Sequence, residues 1–62
     1  MTYVAVISYG YGDNERTENI YAGPDGALAE QKVKDFKFPD KNNNFGWVEI
    51  WNGEEHSIKE II

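Results

Sequence analysis

Four stretches of the chain carry the residue pattern of β-strands, and one carries the pattern of an amphipathic helix. Residues 2–9 and 45–51 are rich in β-branched and aromatic side chains, which favour strands. Residues 16–22 alternate more weakly between polar and apolar side chains, and residues 54–62 follow a strong turn signal. The helical pattern falls between the second and third strands, so the predicted order is strand, strand, helix, strand, strand.

The predicted helix runs from about Pro24 to about Lys37. Proline is favoured in the first turn of a helix, and Asp25 places a negative charge at the positive end of the helix dipole. On the far side Glu30 and Lys34 have the spacing of an i,i+4 ion pair. One arc of the helix collects mainly apolar side chains and is expected to face a sheet: Leu28, Ala29, Lys32, Val33 and Phe36.

Two turns containing glycine are expected to join the strands into hairpins. The segment 10–14 (GYGDN) supplies residues that tolerate a positive φ, and Asn52-Gly53 is typical of a two-residue type I′ turn. The polar segment 37–44 (KFPDKNNN) is predicted as a loop. Residues 1-62 are therefore expected to form one α+β domain, a four-stranded antiparallel sheet in the order 2-1-3-4 with one helix packed on one face.

Strand registers follow from the expected turns. The Asn52-Gly53 turn would place Trp51 opposite Glu54, and it would place Glu49 opposite His56 as a surface ion pair. In the first hairpin the register that pairs similar side chains is expected. It would place Tyr3 opposite Tyr21, Val4 opposite Ile20 and Ile7 opposite Thr17. One predicted sheet face is aliphatic and consists of Val4, Val6, Ile20, Val48 and Ile50. The other predicted face is aromatic and consists of Tyr3, Tyr9, Tyr21, Trp47 and Trp51.

One helix covers only one of these two faces. The helix arc suits the aliphatic face by size, which would leave the aromatic face exposed as an interface for another molecule. The competing interpretation places the tryptophans in the core and leaves the aliphatic face exposed, and a face-to-face pair of chains would bury both. Glu49, His56 and Glu54 beside the tryptophans favour the interface, because a buried carboxylate without a full set of partners is strongly destabilising.

Composition and charge narrow the class of partner. The aromatic content of 15% is enough for a small folded core, and the absence of Cys excludes disulfides and Cys-ligated metal. A net charge of −5 argues against direct nucleic-acid binding and against an anionic membrane surface as partner.

We find no secretory or membrane-spanning pattern, so we expect a complete small cytoplasmic gene product, located in the host cytoplasm if a phage encodes it.

The candidate motifs for chemistry are all incomplete, so we expect no enzyme activity, no cofactor and no metal. Gly10-Tyr11-Gly12 lacks the third glycine of a dinucleotide-binding loop and is predicted as a turn. The segment 40–44 (DKNNN) alternates like a calcium loop but lacks the required glycine and final glutamate, which favours a solvated loop. His56 is the single histidine, and the nearby Ser57 would point to the other face. Asp13, Glu15 and Glu18 form an acidic hairpin end, either solvated or in contact with a basic groove.

The segment 19–22 (NIYA) leading into 26–30 (GALAE) resembles a recurring stretch of small proteins from phage and mobile elements. In those proteins a strand ending in an aromatic residue runs through a short turn into a helix that starts Ala-Leu-Ala. Small phage inhibitors of host RNA polymerase and some anti-CRISPR proteins share the hairpin, helix, hairpin layout. This resemblance implies an inhibitor of a host protein, and it carries over no binding residue.

Two classes of function are therefore expected. The first is a small acidic protein-binding module, a phage- or mobile-element-encoded inhibitor or modulator of a larger host protein that acts by surface contact without catalysis. The alternative is a structural or oligomerising accessory domain, with a possible homodimer through the aromatic face. The expected partner-binding residues are Trp51, Trp47, Tyr3, Tyr21, Asp13, Glu15 and Glu18.

Overall fold

The architecture is a four-stranded antiparallel sheet with one helix on one face. It is taken from a computed structural model that describes residues 1–39 and 43–62. The elements in chain order are β1 (Thr2–Tyr9), β2 (Arg16–Gly23), α1 (Gly26–Asp35), β3 (Phe45–Asn52) and β4 (Glu55–Glu60). The strand order is β2-β1-β3-β4, and every neighbouring pair is antiparallel. The predicted α+β fold and strand order are confirmed.

The core lies between α1 and the two central strands. Ala5 and Ile7 of β1, Val48 of β3, and Ala29 and Val33 of α1 are all at most 1% exposed. Around them pack the half-buried side chains of Tyr3, Tyr9, Ile20, Tyr21, Phe36, Phe38, Ile50 and Ile61. The aromatic residues therefore form the margin of the core, while small and β-branched residues fill its centre.

The predicted set of helix side chains that face the sheet is confirmed only in part. Ala29, Val33 and Phe36 face the sheet as expected, and Lys32 is exposed, which agrees with its expected place at the margin of the arc, but Leu28 is 41% exposed. The i,i+4 pair Ala29 and Val33 forms the line of closest contact with the sheet. Leu28 lies about 100° around the helix from Ala29, so it projects to the side of the contact.

The helix is also shorter than predicted at both ends. Asp25 is the N-cap, and its side chain accepts a hydrogen bond from the Leu28 N–H at 3.0 Å. The backbone of Asp25 is extended, so Pro24 precedes the helix instead of lying in its first turn. At the other end Phe36 is the C-cap with an extended backbone, which ends the helix before Lys37.

The expected ion pair between Glu30 and Lys34 is wrong. Glu30 instead pairs with Lys59 of β4, with 3.1 Å between the Lys59 Nζ and a carboxylate oxygen. This pair connects α1 to the edge of the sheet. Because the Lys59 side chain is 57% exposed, water screens the attraction and the pair adds little stability.

The register of the first hairpin differs from the predicted one. Tyr3 lies opposite Gly23 and Ala5 lies opposite Tyr21, because a β-bulge interrupts the pairing between Ala5 and Val6. The extra residue is Ile20, which packs against the core together with Tyr21. The bulge lets both side chains reach the core side, which strict alternation along a strand would forbid.

The second hairpin turns one residue later than predicted. Asn52 pairs with Glu55, so the turn residues are Gly53 and Glu54. Gly53 has φ +66°, whereas Glu54 does not have a positive φ, and this is the pattern of a type II′ turn instead of type I′. The opposing residues on β4 shift by two positions, and a shift of two keeps every side chain on its predicted face.

Two other predicted segments have different outcomes. Gly10-Tyr11-Gly12 lies in the turn between β1 and β2, as predicted, and a short 3-10 turn covers Gly12–Asn14. The predicted polar loop before β3, with its calcium-like segment, includes residues 40–42, which lie outside the described residues.

We expect Gly46→Ala to lower the free energy of unfolding by about 1–3 kcal/mol, the range for overpacked cores. A Cβ on Gly46 would come within 2.3 Å of Val33 Cγ1 on α1, so the helix would have to move away from the sheet. Urea unfolding measures the loss. The double variant Gly46→Ala with Val33→Ala should lose less than the sum of the single losses, because Val33→Ala removes the clashing methyl group. Additive losses would show that the two residues do not touch.

We expect Gly53→Ala to lower the free energy of unfolding by about 1 kcal/mol or more, because an L-residue is strained at positive φ. The matched control is a synthetic chain with D-alanine at position 53, because a D-residue favours positive φ and adds the same methyl group. Thermal unfolding should separate the two chains. Equal midpoints for wild type and Gly53→Ala would contradict the assigned turn.

Candidate functional site

The candidate site is the sheet face opposite α1, which we call the open face. Its positions on β1 are Thr2, Val4, Val6 and Ser8, which alternate with the core residues of that strand. Its positions on β3 and β4 are Phe45, Trp47, Glu49, Trp51, His56, Ile58 and Glu60. Within residues 1–39 and 43–62, no helix or strand packs over this face.

The predicted faces are confirmed for β3 and wrong for β1. Val48 and Ile50 face α1, while Trp47 and Trp51 lie on the open face, so the interpretation with tryptophans in the core does not hold. On β1, however, the pairing with β3 sets Val6 opposite Trp47. Val4 and Val6 therefore lie on the open face, and the three tyrosines predicted there pack on the helix side: Tyr3, Tyr9 and Tyr21.

The centre of the open face is a carboxylate held by two indole rings. Trp47 Nε1 donates a hydrogen bond to Glu49 Oε2 at 3.3 Å, and Trp51 Nε1 donates to Glu49 Oε1 at 3.2 Å. Residues 47, 49 and 51 alternate along β3 and share one face, so both rings turn along the strand towards the same side chain. We call this arrangement the Trp–Glu–Trp stripe. It satisfies both indole N–H groups without help from another element.

His56 extends the stripe onto the edge strand β4. It lies opposite Trp51, and the two rings are stacked with centroids 4.3 Å apart and planes 17° from parallel. The expected pairing of Glu49 with His56 is wrong, because Glu49 lies opposite Ile58 in the observed register. The later turn at Gly53 causes this difference.

Apolar side chains complete the open face around the stripe. Val6 is 2% exposed although it is not part of the core cluster, so its neighbours on the open face bury it, including Trp47 directly opposite. Phe45 and Ile58 are more than half exposed. Beside Trp47 a groove of about 370 Å³ is lined by Phe45, Gly46, Trp47, Ile58, Glu60 and Ile62.

The predicted acidic residues lie elsewhere. Asp13, Glu15 and Glu18 are all exposed around the turn between β1 and β2. Trp51 pairs with Thr2, at the other end of the eight-residue strand β1. At about 3.3 Å per residue the Tyr9 end of β1, next to the acidic turn, lies roughly 23 Å from the Trp51 end of the stripe, but only about 10 Å from Val6, the partner of Trp47. The structure therefore places Trp51 far from the acidic turn, whereas Trp47 lies on the part of the sheet nearer to that turn.

Sequence reasoning missed the role of Glu49 and the exposure of Phe45 and Ile58. The signal for Glu49 was present in the spacing Trp-x-Glu-x-Trp, which puts the carboxylate between two indole donors on one strand face. Phe45 has the same parity as the tryptophans, and Ile58 faces them across the hairpin, so both could have been assigned to this face.

Among the described residues no group of three or more His, Cys, Asp or Glu is placed to hold a metal ion. None of the described helices has the length and apolarity needed to span a bilayer. The arrangement of aromatic rings, one central carboxylate and apolar margins is suited to contact with another molecule.

Comparison of the chain with protein-family models, with curated proteins and with solved structures finds no match.

We expect Trp51→Ala to leave the fold intact and to cost about 1–2 kcal/mol, below the roughly 3–5 kcal/mol typical of a tryptophan removed from a core. Trp51 lies on the open face near the end of β3, outside the core cluster. Circular dichroism and urea unfolding provide the measurement. Ile7→Ala, in the core, is the control and should lose more stability although the deleted side chain is smaller. An unfolded Trp51→Ala chain would show that the tryptophan belongs to the core.

Proposed function

We propose that this chain is a small acidic protein-binding module that acts by surface contact, with the open face as its binding surface. The observation that carries the proposal is the placement of two tryptophans on a sheet face that α1 does not cover. Aromatic anchors surrounded by polar groups are characteristic of the energetic centres of protein interfaces. Trp47 and Trp51 are the proposed anchors, with Phe45 and Ile58 extending the apolar contact.

The bound partner is proposed to be a larger protein whose activity this chain inhibits or modulates without catalysis. The resemblance to small phage and mobile-element inhibitors supports this part of the proposal, in which the chain acts in the cytoplasm, and in the host cytoplasm if a phage encodes it. Two physical features of the chain support this part of the proposal. A chain of 62 residues is small enough to cover one surface of a much larger protein, and its net charge of −5 favours a basic surface.

The other expected contact residues take different places in this proposal. Tyr3 and Tyr21 pack against the core, so we assign them to stability and not to binding. Asp13, Glu15 and Glu18 are exposed and contribute long-range attraction to a basic partner. Such attraction raises the association rate and weakens as salt shortens the Debye length to about 8 Å at physiological ionic strength.

The alternative function, an oligomerising accessory domain, uses the same open face with a second copy as its partner. It differs from the proposed module in what the purified chain does alone. A self-assembling domain forms dimers as its concentration rises, whereas a module for another protein stays monomeric until that protein is added.

The test is affinity capture from host lysate with three immobilised chains: wild type, Trp51→Ala and Lys34→Ala. Lys34 is exposed on α1, on the other side of the molecule, and is the matched control. Wild type and Lys34→Ala should retain the same defined protein, and Trp51→Ala should bind it about 30-fold more weakly, which corresponds to about 2 kcal/mol.

Two results would contradict the proposal. Equal retention by Trp51→Ala would place the binding surface away from the open face. A concentration-dependent dimer in sedimentation, abolished by Trp51→Ala and with no captured partner, would establish the accessory function instead.

A further inference from the structure

With His56 counted as neutral, the formal charges at the strand positions of the open face are all negative. Glu49 and Glu60 are its carboxylates on β3 and β4, and none of its strand positions carries Lys or Arg. The Lys and the Arg of the sheet point the other way: Lys59 pairs with Glu30 of α1, and Arg16 lies opposite Tyr9 on the helix side. Within residues 1–39 and 43–62, the carboxylates of the open face thus have no Lys or Arg at its strand positions, and its imidazole, His56, is stacked on Trp51.

Glu49 retains capacity to accept further hydrogen bonds. An ionised carboxylate offers about four acceptor sites, two on each oxygen. Within the described part of the chain its side-chain partners are the two indole N–H groups, one on each oxygen. One site on each oxygen therefore remains, and this is the arrangement that a two-pronged donor can occupy.

Aromatic rings beside such a carboxylate favour a cationic partner. Tryptophan attracts a cation to its ring face more strongly than the other aromatic side chains do. Arginine suits this site better than lysine, because its planar guanidinium can stack on an indole ring while donating two parallel hydrogen bonds to one carboxylate. Trp47 and Glu49 supply both kinds of contact along one strand, and Trp51 can add the ring face that is not stacked on His56.

We propose that the open face binds an arginine-bearing basic segment of the partner protein, with the guanidinium donating to Glu49 between Trp47 and Trp51. Glu60, opposite Trp47, supplies a second carboxylate for a neighbouring basic side chain. The inference rests on the proposed function, because it names the chemistry of the partner that the open face receives.

Charge argues against a second copy of the chain on this face. Stacking two open faces would bury Glu49 and Glu60 of both copies, with no Lys or Arg at the strand positions of either face to pair with them. Burying carboxylates without such partners is unfavourable. A basic partner removes this penalty, and the net charge of −5 also attracts it from a distance.

The experiment uses a short blocked peptide with two arginines, titrated into the isotopically labelled chain. Its reporters are the two tryptophans of the sequence, whose indole N–H groups give one nuclear magnetic resonance signal each. Both signals should shift with a common saturation curve. The same peptide with citrulline, which keeps the shape but lacks the charge, should bind at least about fivefold more weakly.

Charge-neutralising variants locate the contact. Glu49→Gln should weaken binding of the arginine peptide about fivefold, because it removes the charge while keeping one oxygen for an indole N–H. Glu15→Gln is the matched control, since it removes the same charge at the distant acidic turn, and its affinity should stay within about twofold of wild type at physiological salt. If Glu49→Gln fails to fold, Glu60→Gln on exposed β4 replaces it, and its affinity should fall more than that of Glu15→Gln.

Three results would overturn the inference. Indole signals unmoved by the arginine peptide, or moved equally by the citrulline peptide, would show that the face does not select a cation. An equal loss for Glu15→Gln and Glu49→Gln would reduce the binding to general charge attraction. Shifts that depend on protein concentration without peptide would identify a second copy as the occupant. In the first two cases the wild-type chain can still capture a partner protein that Trp51→Ala fails to retain. Failure of this inference is therefore distinguishable from failure of the proposed function.

Discussion

A single helix of ten residues covers one face of a four-stranded sheet and does not cover the other. The close approach of α1 to the sheet decides which face it covers. Gly46 leaves the space that Val33 fills, and Ala5 and Ala29 are the other small residues at this contact. Since side chains alternate along β3, a helix seated over positions 46 and 48 necessarily leaves Trp47 on the far side.

The open face stabilises itself through contacts between neighbours on the same strands. Both indole N–H groups are satisfied by Glu49, and one ring stacks on His56. The apolar Val6 is buried in the sheet surface below these larger side chains. This internal order lets the face remain in place before a partner arrives, so less conformational entropy is lost on binding than for a flexible surface. The same contacts that hold the rings also present a carboxylate at the centre of the face.

Local signals in the sequence were sufficient for the elements and their order. Strand patterns, the Asp25 region and the glycine turns depend on near neighbours in the chain, and all five elements appear where these signals lie. The face of Trp47 and Trp51 was also predictable, because alternation along a strand survives the one-residue shift of the turn at Gly53. The Glu49 hydrogen bonds were within reach of the same reasoning, since its two donors are only two residues away on either side.

The sequence by itself determined which side chains of β3 share a face, and therefore that its two tryptophans lie together. Only the tertiary structure decided that Tyr3 and Tyr21 pack on the helix side, away from those tryptophans. The pairing of β1 with β3 and the bulge in β2 set these positions, and both depend on contacts between separate strands. The alternation along a strand defines two faces but does not say which of them is buried. Only packing against another element makes one of them part of the core.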